Sequence, residues 1–219
     1  MLVKDFITKD IPVLKSFDTV EYALNLMDDW KLKHLPLVHE TIYQSLVSEK
    51  DLLSLTDPSE PIGKSFLFAP AVQEDGPLHA ALAMITRFGL CILPVVSSEG
   101  KYVGAITREK LLDALAELCN VHSEGSVIVL EMLPQDYVLS DIARLVESNN
   151  AHVLNLLTST EKDTGRLLVT IKIDLEDASP VIRSFERFNY NVVYHFMENG
   201  RIDEQLQQRM NELLYYMNM

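Results

Sequence analysis

The chain has 219 residues, 47% of them hydrophobic, which is enough for one large or two modest cores. Its formal net charge is −13, from 19 Lys and Arg against 32 Asp and Glu, which disfavours a general grip on nucleic-acid phosphates. Charge appears early, and no window approaches the ~18 uninterrupted apolar residues of a membrane span. With Cys91 and Cys119 in no metal or redox spacing, we expect a soluble, cytoplasmic protein without nucleic-acid or membrane contacts.

The N-terminal part contains an internal repeat. Residues 33–38 read KHLPLV and residues 48–53 read SEKDLL, while residues 91–96 read CILPVV and residues 107–112 read TREKLL. The two Leu-Pro pairs lie 58 residues apart, and the following Ser and Thr lie 59 apart. A repeat that keeps its register this closely indicates a duplicated structural unit, which we place at residues 1–60 and 61–122.

Each repeat is predicted to fold as β-α-β-β-α. In the first, the apolar spacing predicts a helix at 20–30, then strands at 35–38 and 43–47. In the second, Pro77 is predicted in the first turn of the matching helix and Gly89 at its end, before a strand at 102–106. A closing helix is predicted at 110–119, with these leucines facing inward: Leu111, Leu112, Leu115 and Leu118.

The spacing of the hydrophobic residues changes after residue 125. We therefore predict a separate domain at 126–197. Strands are expected at 126–132, 153–157, 166–173 and 192–196, with helices at 137–149 and 179–188. The first helix is expected to carry Val138, Ile142, Leu145 and Val146 on one face. The order βαββαβ is that of a ferredoxin-like sandwich, so the chain as a whole is α/β (α+β).

The last segment, 200–219, is predicted to be an amphipathic helix. Its apolar stripe comprises Ile202, Leu206, Met210, Leu213, Leu214 and Met217. A stripe this apolar needs a cover, either the chain's own domain or a second copy in a homodimer. Both alternatives remain open at this point.

The repeats resemble a pair of CBS domains, known as a Bateman module, and residues 126–196 resemble an ACT-like domain in element order and length. The first resemblance implies a regulatory fold that binds adenosine-containing ligands between its repeats. ACT domains often bind amino acids beside a glycine in the first strand-to-helix loop. Here that loop, 133–136, reads LPQD without glycine, so we expect no amino-acid site there.

The CBS resemblance also assigns candidate site residues. Its motif, Gly-h-h-Ser/Thr-x-x-Asp, places the carboxylate on the ribose hydroxyls and the Ser/Thr on phosphate. The first repeat supplies Ser48 and Asp51, with Ser45 at the glycine position. The second has Gly104, Thr107, Arg108 and Lys110, where lysine cannot accept the ribose hydroxyls but two cations can attract phosphate. The positions that surround the adenine ring in the family correspond to Ile11, Val13, His34 and Pro36.

Two functional hypotheses follow. In the favoured one, an adenine nucleotide resembling AMP, ADP or ATP binds between the repeats, and its occupancy is transmitted to an unidentified protein partner. In the alternative, the repeats form a ligand-free dimerisation module, where Ser48 only caps a helix and Asp51 only complements its dipole. No phosphate-cradling loop, metal cluster or nucleophile motif is present in the sequence. We therefore expect neither an enzyme nor a cofactor.

Overall fold

The computed structural model describes residues 1–55, 57–63 and 66–197. The helix predicted at 200–219 lies outside these residues. The chain divides into two compact units, the first from Met1 to Leu115 and the second from Ala116 onward. Among the described residues, no helix is long and apolar enough to cross a membrane.

The first repeat contains helix α1 (Val20–Asp29), strands β1 (His34–His39) and β2 (Ile42–Ser48), and the short helix α2 (Glu49–Leu53). Thr19 caps α1 by accepting a hydrogen bond from the backbone N–H of Tyr22. β1 and β2 pair antiparallel as a hairpin. The leading strand is reduced to one parallel bridge, between Leu14 and Leu37.

The second repeat contains β3 (Val72–Gln73), α3 (Leu78–Phe88), β4 (Ile92–Val96), β5 (Tyr102–Thr107) and α4 (Arg108–Leu118). These strands form one sheet in the order β3-β4-β5, with β3 parallel to β4. Pro77 is the N-cap of α3, one position before the first turn where we predicted it. Gly89 ends this helix at a φ of 64°, a left-handed conformation that glycine adopts at little cost.

The segment that leads into each repeat packs on the other repeat. Thr8 forms an antiparallel bridge with Ala105 in β5, and the backbone N–H of Val3 donates to the carbonyl of Gly76. Conversely, the N–H of Leu46 in β2 donates to the carbonyl of Phe68 at 2.8 Å. The two repeats are therefore held together by exchanged backbone pairing.

The prediction that Leu112 of the closing helix faces inward is wrong. Leu111 is buried, whereas Leu112 is 67% exposed. The other buried position of α4 is Ala114, three residues after Leu111. Successive helical residues point about 100° apart, so a face that carries Leu111 inward leaves Leu112 outward.

The second unit contains β6 (Ser126–Met132), α5 (Leu139–Glu147), β7 (Val153–Thr160), β8 (Leu167–Ile173), α6 (Ser179–Arg187) and β9 (Asn191–Phe196). The sheet order is β7-β8-β6-β9, antiparallel throughout, as a ferredoxin-like sandwich requires. Its core joins one face of this sheet to α5 and α6, with Phe185 fully buried. The predicted α+β fold is confirmed.

The prediction that Val138 belongs to the apolar face of the helix at 137–149 is also wrong. Val138 precedes α5 as its N-cap in an extended conformation and is 43% exposed. A turn of 3-10 helix at Pro134–Asp136 delays the start of α5. The other three predicted residues, Ile142, Leu145 and Val146, are buried.

Candidate functional site

The first candidate site is built at the junction of β2 and α2. Ser48 is the N-cap of α2, and its hydroxyl oxygen accepts the N–H of Asp51 at 3.1 Å. In return, Asp51 Oδ2 accepts the N–H of Ser48 at 3.3 Å and its hydroxyl at 2.6 Å. This capping box fixes the carboxylate at the mouth of the helix. Oδ1 has no hydrogen-bond partner among the residues that the structure describes.

Strand β1 brings two further candidates to the same end of the hairpin. His34 pairs with Ser48 in the β1–β2 register, and Pro36 pairs with Leu46. The carbonyl of Pro36 accepts the N–H of Leu14 at 2.8 Å, so the segment carrying Ile11 and Val13 runs beside this strand. Ile11 and Pro36 are buried, whereas Val13 and His34 are half-buried. The fold therefore places these apolar residues and the Asp51 carboxylate on neighbouring elements of the first repeat.

Several charged groups act on the imidazole of His34. Burial lowers the pKa of its imidazole below the ordinary value, Asp51 opposes that effect, and Arg108 and Lys33 add to it. Its Nδ1 lies 3.2 Å from the Sγ of Cys91 in the second repeat. Both repeats thus contribute charge and contacts around one imidazole, which is held mostly neutral at pH 7.

The second repeat reproduces the backbone of this junction but not its chemistry. Ile92 pairs with Thr107 as His34 pairs with Ser48, and the Thr107 hydroxyl oxygen accepts the N–H of Lys110 at 3.2 Å. Lys110 is exposed and forms an ion pair with Asp113 at 3.8 Å. The guanidinium of Arg108 donates to the carbonyls of Gly89 and Leu90, at 3.2 and 2.7 Å.

These contacts give the two junctions different capabilities. The first offers a carboxylate with an unengaged oxygen, which is a good acceptor for the two hydroxyls of a ribose. The second has the ammonium of Lys110 at the corresponding position, and the nearby Arg108 already bonds the backbone at the end of α3. In the first repeat, the strand register brings His34 beside Ser48, which bonds Asp51, while Ile11 and Val13 lie on the segment that runs beside β1. The predicted residues of the second repeat form a related cluster around α4.

Cys91 was missed as a neighbour of the candidate site. It occupies the position of Lys33 in the repeat register, immediately before a central strand. The carbonyl of Cys91 accepts the N–H of Arg108 at 3.0 Å, as the carbonyl of Lys33 accepts that of Glu49. Its contact with His34 joins the repeats, so periodicity within one repeat contains no signal for it.

Comparison with known proteins defines the family. The sequence model of the CBS domain matches residues 3–57 and 68–117. The N-terminal part of the chain therefore carries a tandem pair of CBS domains. This match confirms the resemblance that the repeat suggested.

Individual relatives cover part of the chain. An uncharacterized protein of Methanocaldococcus jannaschii is 32% identical over 120 residues, which are 52% of this chain and 28% of that protein. The matched part spans less than a third of the curated relatives. Among solved structures, a CBS domain pair/ACT domain protein from Thermotoga maritima is 29% identical, with a TM-score of 0.49 over 53% of this chain and 98% of that one. CBSX2 of Arabidopsis thaliana, solved in complex with AMP, is 27% identical, with a TM-score of 0.47 over 53% of this chain and 96% of that one.

Proposed function

We propose that this protein is a regulatory sensor that binds an adenosine-containing nucleotide at the first CBS repeat. The observation that carries the proposal is the carboxylate of Asp51, which the capping box holds beside His34 with one oxygen unengaged. In this arrangement Asp51 accepts the ribose hydroxyls. Ile11, Val13 and Pro36 provide the apolar wall for the adenine ring, and Ser48 lies toward the phosphate.

Regulation follows if the nucleotide prefers one arrangement of the two repeats. Arg108 and Cys91 of the second repeat lie near His34 of the first. A ligand seated at this point contacts groups from both repeats, and its differential affinity shifts their equilibrium. A protein partner that reads the favoured arrangement receives the signal as a change in its own affinity.

A thermal-shift panel tests the proposal. AMP, ADP, ATP, S-adenosylmethionine, NAD and the common amino acids are each added to the full chain. A true ligand at about 100 times its dissociation constant adds about 2.7 kcal/mol, which should raise the melting temperature by roughly 5 to 10 °C. We expect at least one adenine compound to do so. Shifts below about one degree for all adenine compounds would contradict the proposal.

Replacing Lys110 with alanine tests the role of the second repeat. An ammonium interacts only with the anionic end of a nucleotide. We therefore expect Lys110→Ala to weaken binding progressively from AMP to ATP and to leave adenosine almost unaffected, as measured by calorimetry. Glu109→Ala, beside it on the same exposed turn, is the control. An equal loss for adenosine and ATP would argue against a phosphate role.

A second candidate function is assembly without a ligand. Leu53 and Leu112 occupy equivalent positions in the two closing helices, and both are 67% exposed. Leu112 also lines a groove of about 270 Å³ between α3 and α4, where four of the eight lining residues are leucines. Apolar surface repeated in both repeats favours a homodimer formed by a second copy.

One double variant, compared with the wild type, distinguishes the two functions. The double variant Leu53→Gln, Leu112→Gln should convert a dimer into monomers in light scattering if these positions form the interface. If the same variant keeps the nucleotide-induced thermal shift, sensing and assembly are separate properties. If no nucleotide shifts the wild-type protein while the variant loses its dimer, assembly alone is the function.

A further inference from the structure

A contact between the two repeats determines the chemistry of one imidazole in the candidate site. Nδ1 of His34 lies 3.2 Å from Sγ of Cys91, and both side chains are half-buried. The other ring nitrogen of His34, Nε2, has no hydrogen-bond partner among the residues that the structure describes. A neutral imidazole donates from one nitrogen and accepts at the other. The role of Nδ1 in this contact therefore decides whether Nε2 donates or accepts.

The thiol is the favoured donor in this contact. An imidazole nitrogen is a good hydrogen-bond acceptor, whereas a thiol sulfur is a weak one, so S–H to Nδ1 is more stable than N–H to Sγ. Proton transfer to the ring is unfavourable, because a thiol ordinarily has a higher pKa than an imidazolium and burial lowers the pKa of His34 below its ordinary value. The geometry therefore favours the tautomer of His34 that carries its proton on Nε2.

The charges near His34 leave this ring as a neutral donor beside a carboxylate. Burial has the largest effect on the pKa of the imidazole and lowers it, and the Asp51 carboxylate raises it. The cations Arg108 and Lys33 lower it as well. Asp51 has an unengaged oxygen, Oδ1, and the ring of His34 has an unengaged nitrogen, Nε2, among the described residues. The first junction therefore combines an acceptor with a neutral donor.

We propose that Nε2 of His34 donates a hydrogen bond to a ring nitrogen of the bound adenine, and that Cys91 positions the imidazole by donating to Nδ1. This inference rests on the proposed function, in which Asp51 accepts the ribose hydroxyls. A neutral donor beside an ionised carboxylate suits an uncharged acceptor better than a phosphate, because Asp51 repels a second anion. Adenine offers such acceptors at N1, N3 and N7.

The second repeat has no counterpart of this pair. Ile92 stands where His34 stands in the first repeat, and Lys110 stands in place of Asp51. The donor at the first junction also depends on both repeats, because Cys91 belongs to the second. A change in the arrangement of the repeats that separates Cys91 from His34 would release the tautomer and weaken the contact with the base. The same contact therefore links adenine binding to the arrangement of the repeats.

Nuclear magnetic resonance of the nucleotide-free, nitrogen-labelled full chain measures the tautomer directly. The chemical shifts of the ring nitrogens distinguish the Nε2–H form from the Nδ1–H form, and the signals of His34 are those lost in His34→Phe. We expect the Nε2–H form in the wild type. Cys91→Ala should give a mixture of tautomers and raise the pKa of His34, because the hydrogen bond that stabilises the neutral ring is lost. A predominant Nδ1–H form in the wild type would overturn the proposal.

Two further cysteine variants control this measurement. Cys91→Ser keeps a donor at the same position and should restore the Nε2–H form. Cys119→Ala removes the other cysteine of the chain and should leave the signals of His34 unchanged. A pure Nε2–H form in Cys91→Ala would overturn the positioning role of Cys91.

Adenosine analogues that carry carbon in place of N1, N3 or N7 test the contact with the base. By calorimetry, one of these analogues should bind the wild type about three- to tenfold more weakly than adenosine, and His34→Phe should remove that difference. Cys91→Ala should weaken the binding of adenosine in the same direction. Equal binding of adenosine and every analogue would overturn the donor role of His34. An effect of His34→Phe on ATP but not on adenosine would also overturn it, because the ring would then contact phosphate.

The two measurements separate this inference from the proposed function. If no adenine compound binds the wild type, the proposed function fails and the contact with the base fails with it. The resonance measurement on the free protein still decides independently whether Cys91 sets the tautomer of His34. If adenine compounds bind but no analogue is weakened, the proposed function stands and the contact between His34 and the base is overturned.

Discussion

Replacing Asp51 with alanine is expected to weaken nucleotide binding tenfold or more. Losing a charged hydrogen-bond partner costs about 1.5 to 3 kcal/mol, and each 1.4 kcal/mol is about a factor of ten in affinity. Isothermal titration calorimetry of the wild type and the variant measures this ratio. The first repeat holds the carboxylate of the family motif, since the matching residue of the second repeat is Lys110.

Because Asp51 also belongs to the capping box, this variant needs a control for stability. Asp51→Ala also removes the acceptor for the Ser48 hydroxyl and N–H, so a small loss of stability, about 1 kcal/mol, is expected. Glu49→Ala removes a carboxylate from the same helical turn but leaves the motif intact. We expect Glu49→Ala to retain nucleotide affinity. Unchanged affinity in Asp51→Ala would place the site elsewhere.

Replacing Gly104 with alanine is expected to destabilise the CBS pair by roughly 2 to 4 kcal/mol. Gly104 has a φ of 156°, and a Cβ added to it would lie 2.5 Å from Ile7 Cγ2 and 2.8 Å from the carbonyl oxygen of Thr8. That contact is where the leading segment of the first repeat pairs with β5. Urea unfolding followed by circular dichroism measures the loss.

Ser45 is the matched control, because it occupies the same position in the first repeat. It is 1% exposed, and its hydroxyl has no hydrogen-bond partner among the described residues. Ser45→Ala removes an unpaired buried hydroxyl and should leave stability unchanged or slightly raised. Equal stability of Gly104→Ala and the wild type would show that the leading segment does not hold β5 in solution.

The duplicated framework could be predicted from the sequence because the repeat itself preserves register. A one-residue difference in the hairpin accounts for the change in spacing from 58 to 59. The strands His34–His39 and Ile92–Val96 start at corresponding positions of the two repeats and differ in length by one residue. Position within the repeat was therefore enough to locate Ser48, Asp51 and their counterparts at equivalent junctions.

Features that depend on contact between the repeats could not be predicted in this way. The crossing of the leading segments and the approach of Cys91 to His34 join residues distant in sequence, and no local pattern marks them. Leu112 was assigned inward because leucine is apolar. Hydrophobicity alone cannot distinguish a residue buried in its own domain from one exposed beside a groove.

The number of nucleotides bound per chain tests nucleotide binding at the first repeat directly. The adenine compound with the largest thermal shift is titrated into the full protein and followed by calorimetry. Because Asp51 has Lys110 as its counterpart, we predict a single site per chain for adenosine and its phosphates. Two equivalent sites, or no saturable binding of any adenine compound, would contradict nucleotide binding at the first repeat alone.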